Sequence, residues 1–118
     1  RVLAESILLM NGACIIGYLR KKDMEFYGVD GKDLDGIVSQ LRLTKGVEVA
    51  MFLYETETQT FKVSLRSNGH VDVSRIAVYF GGGGHTRAAG CDLQGSMYDV
   101  INNVTREIER QICMEKVR

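Results

Sequence analysis

The stretch YFGGGGHTRAAG, residues 79–90, places four consecutive glycines before a histidine and an arginine. Residues that lack a Cβ adopt left-handed backbone angles readily and let a ligand lie close to the main chain. Successive backbone N–H groups in such a segment can form a concave surface that binds anions. These residue types favour a phosphate-binding loop, and the alternatives are a structural turn without a ligand and a flexible linker.

Three side chains near this segment could supply positive charge to a bound phosphate. Arg87 offers two parallel hydrogen bonds to phosphate oxygens, and His85 can donate from its ring or carry a charge. Arg66 is the third, because period-two alternation places it with Lys62 and Ser64 on the polar face of a predicted strand. The GxGxxG and GK[ST] phosphate patterns are absent. A helix also enters the glycine segment with its negative end, so the cations must provide the attraction.

Other kinds of chemistry find little support in the composition. Fifteen basic and fifteen acidic residues leave no net charge, so any anion site must be local. Cys14, Cys91 and Cys113 lack CxxC spacing, which predicts buried thiols in a reducing cytoplasm. His70 and His85 do not make a metal-ligand set, and no motif marks an activated nucleophile. We therefore expect a chain that binds a ligand but neither holds a metal nor catalyses alone.

Hydrophobic periodicity predicts the elements of the first half of the chain. We expect a helix over residues 2–10, a buried strand over residues 13–19, and a helix that Asp33 caps. Alternating apolar residues over 47–53 and 61–65, with a polar segment between them, predict a β-hairpin.

The second half should position the glycine segment. Asp72 is a good N-cap for a helix that ends just before Gly81, and a strand is expected over residues 88–93. Ser96 and Asp99 resemble a capping box at the start of a long final helix. Helices and strands are thus mixed, which predicts an α/β (α+β) single domain over residues 1–118, with a central mixed sheet that contains a hairpin and is flanked by helices.

The segment FKVSLRSNGHVDVSRIAVYFGGGGHTRAAG, residues 61–90, resembles the C-terminal DHH-associated domain of the DHH phosphoesterase superfamily. The shared features are an SLRS strand end, a [VI]D[VL]..IA..[FY] helix and the GGGGH..AAG element. The resemblance covers residues 12–112 and is greatest for the branch of bacterial oligoribonuclease/pAp phosphatases and cyclic-di-AMP or pApA phosphodiesterases.

This resemblance implies a set of site residues. His85 would be the catalytic residue, because it would reach a substrate phosphate near the two metal ions of the family's N-terminal domain. The substrate-binding residues would be Arg66, Ser67, Gly82, Gly83, Gly84, His85 and Arg87.

The resemblance also implies partners. An N-terminal DHH domain would hold two Mn²⁺ ions, and the substrate would be a short single-stranded oligonucleotide or a nucleotide phosphate. No DHH triplet occurs here, so the chain is expected to be the substrate-binding part of a larger cytoplasmic phosphodiesterase, without a cofactor of its own, without membrane contact, and as a homodimer at full length. The same type of domain ends some alanyl-tRNA synthetases, so a noncatalytic nucleic-acid-binding module is the alternative. A generic α/β domain that binds nothing is a third reading.

Overall fold

The computed structural model describes residues 5–22 and 31–117. The described strands come in three pairs along the chain, and each pair is followed by a helix. The strands are β1 (Glu5–Leu9), β2 (Cys14–Leu19), β3 (Val49–Glu57), β4 (Thr60–Ser67), β5 (Gly83–His85) and β6 (Ala88–Gln94). The helices are α1 (Gly31–Leu41), α2 (Val73–Tyr79) and α3 (Met97–Val117), with a single 3₁₀ turn at Met10–Gly12.

The strands form one six-stranded sheet in the order β1-β2-β3-β4-β6-β5. The pairing of β2 with β3 is parallel, whereas every other pairing of neighbouring strands is antiparallel. The parallel pair requires a crossover connection, and α1 lies in that connection. The predicted mixed sheet with a hairpin and flanking helices is therefore confirmed.

The helix predicted over residues 2–10 is wrong. Glu5–Leu9 forms strand β1, which pairs antiparallel with β2, and residues 2–4 lie outside the described residues. Asn11, directly after the predicted helix, lies in the 3₁₀ turn that joins the two strands and has a φ of 57°. A helical spacing of apolar residues did not decide the structure here, because pairing with β2 supplies the backbone hydrogen bonds that a helix would have made internally.

Both faces of the sheet are covered by apolar contacts, which form two clusters. The larger cluster lies between the sheet and helices α2 and α3, and the strand residues in it include Met51, Val63 and Leu65. The smaller cluster lies on the other face, where Leu34 and Val38 of α1 pack against β2 and β3. The sheet therefore has two distinct sides, an α1 side and an α2/α3 side.

The predicted helix ends can be compared with the observed ones. The carboxylate of Asp72 accepts hydrogen bonds from the Ser74 and Arg75 N–H groups at 3.0 and 3.4 Å, so the cap of α2 is confirmed. The Ser96 hydroxyl accepts from the Asp99 N–H at 3.1 Å at the start of α3. Asp33, in contrast, is not at the N-cap, because α1 already begins at Gly31.

Candidate phosphate-binding site

The glycine segment is part of the sheet rather than a free loop. Gly83–His85 forms β5, an edge strand that pairs with β6, and all three residues are exposed. The loop expected from the sequence is therefore limited to Gly81 and Gly82, and to the Thr86–Arg87 turn that joins the two strands. Among the described residues, β5 has a neighbouring strand on one side only. Its other edge is therefore open to a ligand.

Strand register aligns the candidate site residues in rows. Ala88 of β6 pairs with Arg66 of β4 on one side and with His85 of β5 on the other. Directly opposed residues in antiparallel strands project from the same face of the sheet. The side chains of Arg66 and His85 thus stand on one face with only an alanine between them, and their Cα atoms are about 10 Å apart at two strand spacings.

A second row runs beside the first. Gly90 pairs with Ser64 on β4 and with Gly83 on β5. Positions two residues apart along a strand share a face, so the two rows together form one surface. We call this surface the platform: Ser64, Gly83, Ala88 and Gly90, with Arg66 and His85 at its two ends.

The platform is on the α1 side of the sheet. Its neighbours along the β3–β4 register, Ala50 opposite Arg66 and Phe52 opposite Ser64, belong to the cluster that packs against α1. Helix α1 packs chiefly against β2, β3 and β4. Within the described residues β5 and β6 consequently have no helix over this face, and Arg66 remains only half-buried.

Different structural features explain why glycine occupies positions 82, 83 and 84. A Cβ at Gly82 would lie 2.1 Å from the Gly90 carbonyl oxygen, and a Cβ at Gly84 would lie 2.5 Å from the Ala89 Cα. Gly84 also has a φ of 145°. Gly83, in contrast, lies outside the left-handed region, and a Cβ there would meet nothing within 4 Å. Close packing on β6 therefore explains Gly82 and Gly84, whereas the free space at Gly83 is available to a ligand.

Backbone hydrogen bonds from two elements fix the turn that follows His85. The Ser67 N–H at the end of β4 donates to the Arg87 carbonyl at 2.9 Å, and the Val73 N–H at the start of α2 donates to the Thr86 carbonyl at 3.0 Å. Both turn carbonyls are thus held by donors that are distant in sequence. The position of His85 depends on β4 and α2 as well as on its own strand.

Besides Gly82 and Gly84, two more of the predicted site residues do not join the platform. Ser67 is buried on the α2/α3 side, and its hydroxyl accepts a hydrogen bond from the Gly69 N–H at 3.3 Å, which gives it a turn-stabilising role. Arg87 lies in the turn, where its Nη1 donates to the Asn68 carbonyl at 3.3 Å. The structure therefore brings Arg66, His85 and Gly83 together, and it places Arg87 at the periphery and Ser67 behind the sheet.

Asn68 was not among the site residues predicted from the sequence. Its Nδ2 donates to the carbonyls of Arg42 and Val47 at 2.6 and 3.1 Å, and its backbone N–H donates to the Glu48 carbonyl at 2.8 Å. Its own carbonyl accepts from Arg87. Asn68 thus connects the end of β4, the segment before β3 and the turn after β5. The only signal in the sequence was the Asn-Gly pair, which indicates a turn but none of these partners.

The electrostatics of the site depend on a few groups. The guanidinium of Arg66 donates to the Leu65 carbonyl at 3.0 Å, and its remaining N–H groups have no acceptor among the described residues. The His85 ring likewise has no hydrogen-bond partner in this part of the chain. With a cation at one end, an imidazole at the other and backbone exposed between them, the platform suits an anion of about the size of a phosphate group.

The described residues give no support to other chemistry. Burial raises the pKa of the Cys14 thiol to about 12, and burial followed by the charge of Asp92 raises the pKa of Cys91 to about 11, so both are poor nucleophiles at neutral pH. The expectation of buried thiols holds for these two, whereas Cys113 is exposed. No group of three or more His, Cys, Asp or Glu side chains in residues 5–22 and 31–117 could hold a metal ion. None of the helices described is both long and apolar enough to cross a membrane.

Fold and site together define a DHH-associated type of domain. The chain belongs to the DHHA1 domain family, whose sequence profile matches residues 11–113. The resemblance seen in the sequence is thereby confirmed.

Individual relatives agree with this assignment. The chain is 39% identical over 84 residues to the bifunctional oligoribonuclease and PAP phosphatase NrnA of Thermus thermophilus, an alignment that covers 67% of this chain and 26% of that protein. The matched part of the chain thus spans about a quarter of this relative's length. An exopolyphosphatase-related protein from Bacteroides fragilis has a similar structure, with a TM-score of 0.79 and 27% identity over 89% of this chain and 31% of the other.

A third similarity concerns the fold alone. The C-Ala domain of Aquifex aeolicus alanyl-tRNA synthetase superposes with a TM-score of 0.57 and 13% identity, covering 92% of this chain and 96% of that domain. The two types of domain considered from the sequence thus share one architecture, and the fold does not distinguish between them.

Proposed function

We propose that the platform binds a phosphate group of a short single-stranded oligonucleotide or of a nucleotide. In this proposal the chain is the substrate-binding domain of a DHH phosphodiesterase of the oligoribonuclease, pAp phosphatase or cyclic-dinucleotide type. The observation that carries the proposal is the row Arg66–Ala88–His85 beside the open Gly83, since a flat floor of small residues lies between two donors to an anion. Family membership and the NrnA relative support it.

The platform residues would have distinct roles. Arg66 would donate to phosphate oxygens as a fixed positive charge, and a charge-assisted hydrogen bond of this kind contributes about 1.5–3 kcal/mol. Gly83 would let the phosphate approach the backbone. His85 would be the catalytic residue, since its ring could donate to a phosphate oxygen as negative charge builds up in the transition state. Arg87 would add charge at the rim.

The proposal includes manganese, but the described residues would not bind it. They do not fit a two-metal site, because they contain no suitable group of ligands. The two Mn²⁺ ions would be held by a DHH domain elsewhere in the protein. A cytoplasmic location and a homodimer at full length also remain predictions.

Binding of matched ligands tests the proposal directly. The dinucleotide pApA should bind the 118-residue chain at least about tenfold more tightly than ApA, because only pApA carries the terminal phosphate. In NMR titrations it should shift the amide signals of Gly83 and Ala88 and leave that of Glu109, on the other side of the sheet, unchanged. Shifts confined to α3 would contradict the proposal, and equal affinity for the two ligands would limit it to the internal phosphodiester, which both ligands carry.

The alternative function makes a different prediction in the same titration. A module of the alanyl-tRNA synthetase type would prefer structured tRNA to pApA, and the similarity to the C-Ala domain is the observation that keeps it in view. Competition between unlabelled tRNA and labelled pApA distinguishes the two functions. Displacement of pApA at tRNA concentrations far below those needed for a single-stranded RNA of equal length would favour the alternative.

A further inference from the structure

Gln111 of α3 makes a two-point contact with a residue far from it in sequence. Its Oε1 accepts a hydrogen bond from the Asp72 backbone N–H at 2.8 Å, and its Nε2 donates to the Asp72 carbonyl at 3.0 Å. One side-chain amide therefore satisfies both backbone groups of Asp72, as a neighbouring strand would. This contact ties the last turns of α3 to the beginning of α2.

The contact continues toward the platform through the next residue. Val73, which follows Asp72 directly and is fully buried, donates its N–H to the Thr86 carbonyl at 3.0 Å. Thr86 in turn follows His85. Three consecutive links thus connect Gln111 to Thr86, the neighbour of the catalytic candidate: its amide to Asp72, the peptide bond from Asp72 to Val73, and the hydrogen bond from Val73 to Thr86.

Gln111 cannot itself touch a ligand on the platform. It belongs to α3, which packs on the α2/α3 side of the sheet, and it lines a cleft of about 550 Å³ together with Met10, His70 and Glu109. The platform is on the α1 side. Any effect of Gln111 on phosphate binding must therefore pass through the backbone that it holds.

Asp72 is also the residue whose side chain begins α2. Its carboxylate accepts from the Ser74 hydroxyl and from two backbone N–H groups of the first helical turn. The side chain of Asp72 thus fixes the helix, while its backbone is fixed by Gln111. Without the Gln111 amide, the first turn of α2 could shift relative to α3 and carry the Thr86 carbonyl with it.

We infer that Gln111 is a positioning residue for His85, acting through Asp72, Val73 and the Thr86 carbonyl. This inference rests on the proposed function for its binding consequence only. Its structural consequence, a coupling between α3 and the β5–β6 turn, can be measured without any ligand.

The test compares Gln111→Met with Arg110→Met in the 118-residue chain. Met keeps the length of Gln but removes both hydrogen bonds. The control is well matched, because the Arg110 guanidinium bonds only to Glu107 of its own helix among the described residues. In Gln111→Met, hydrogen exchange at the Asp72 and Val73 amides should be faster by about five- to tenfold, the factor that corresponds to one ordinary hydrogen bond. The NMR signals of the Thr86 amide and the His85 ring should move as well.

The His85 signals decide the outcome. If Asp72 exchanges faster while Thr86 and His85 keep their wild-type signals, Gln111 is merely a tie between helices and the inference is overturned. The expected loss of pApA affinity is about three- to tenfold, on the reasoning that at most one phosphate hydrogen bond is misplaced. If the wild-type chain binds no pApA, the proposed function fails, and the signals of unliganded His85 still decide the positioning role.

A second variant covers the case in which Gln111→Met does not fold. Gln111→Glu keeps the acceptor for the Asp72 N–H and places a carboxylate oxygen opposite the Asp72 carbonyl, which it repels. It should move the Thr86 and His85 signals away from their wild-type positions, as Gln111→Met does. A folded Gln111→Glu protein with wild-type signals at both residues would also overturn the inference.

Discussion

Arg66 and His85 are both register partners of Ala88, one on each side of it, although they are separated by an entire helix in the sequence. Their side chains project from the same face of the sheet, above a floor of small residues. This relationship depends on β6 being inserted between β4 and β5. It brings together Arg66 and His85, the two side chains that would donate to the phosphate in the proposed function.

Alanine substitutions along the glycine segment should separate structural from binding glycines. Gly84→Ala should destabilise the fold by at least about 1–3 kcal/mol, because its φ of 145° is strained for alanine and its Cβ would overlap Ala89. Gly83→Ala should change the free energy of unfolding by less than about 0.5 kcal/mol, since its Cβ meets nothing. The affinity of Gly83→Ala for pApA should nevertheless fall. Chemical denaturation and titration of both variants provide the measurements, and a Gly83→Ala protein with full affinity would exclude approach of the phosphate at this point.

Arg66 and His85 should contribute to binding and not to folding. His85 is exposed, so His85→Ala should change stability by no more than about 0.5 kcal/mol. Each of Arg66→Ala and His85→Ala should weaken pApA binding by about tenfold or more, the effect of losing a charge-assisted hydrogen bond. Arg106→Ala, an exposed arginine of α3, serves as the control. If His85→Ala lowers the melting temperature strongly and the folded protein binds normally, His85 is a structural residue.

In the full-length enzyme, His85→Ala should reduce turnover more than it reduces affinity. Loss of a donor that acts on developing negative charge lowers kcat by roughly a hundredfold or more. Steady-state kinetics on a short RNA with the full-length protein and its His85→Ala variant measure this ratio. Weaker binding with an unchanged kcat would restrict His85 to ground-state binding.

Binding of a single-stranded oligonucleotide should depend only weakly on salt. Arg66, His85 and Arg87 are the cations expected at the site, so about three phosphate contacts are formed. The slope of log K against log salt for single strands is about −0.7 per contact, which gives a total of about −2. Titration of a 5′-phosphorylated pentanucleotide at several ionic strengths measures the slope. A slope several times steeper would indicate a long basic groove, which a net charge of zero does not lead us to expect.

Acid should weaken the fold partly through Asp72. The donated hydrogen bond of the Ser74 hydroxyl lowers the pKa of Asp72 from its ordinary 3.8, with further lowering by the Arg75 and Ser74 N–H groups. A carboxyl whose pKa is lower in the folded state stabilises the fold fully above its unfolded pKa and loses that contribution as the pH falls below about 3.8. Asp72→Ala should cost about 1 kcal/mol at pH 7 through loss of the cap, and less at pH 2–3. Denaturation of both proteins across this pH range tests the sign, and a difference that grows on acidification would contradict it.

Several elements could be predicted from the sequence because their signals are local. The β3–β4 hairpin follows from period-two alternation, and the two later helices follow from their caps at Asp72 and Ser96 with an apolar stripe behind each. The GGGGH..AAG element with SLRS before it identified the family by itself. For the hairpin and the two helices, the residues that determine each strand or helix lie within it or in the adjacent cap or turn.

What the sequence could not decide was always a matter of nonlocal pairing. Residues 2–10 have a helical spacing of apolar side chains, yet residues 5–9 form a strand, because β2 pairs with them. Strand alternation separates Arg66 from Ser67, but only the pairing of both β4 and β5 with β6 places Arg66 on the face that it shares with His85. The strand order β4-β6-β5 is likewise invisible in the chain itself, since the hydrogen bonds that fix it join residues that are distant in sequence. The sequence thus determined which residues could bind a phosphate, and the tertiary structure decided which of them meet.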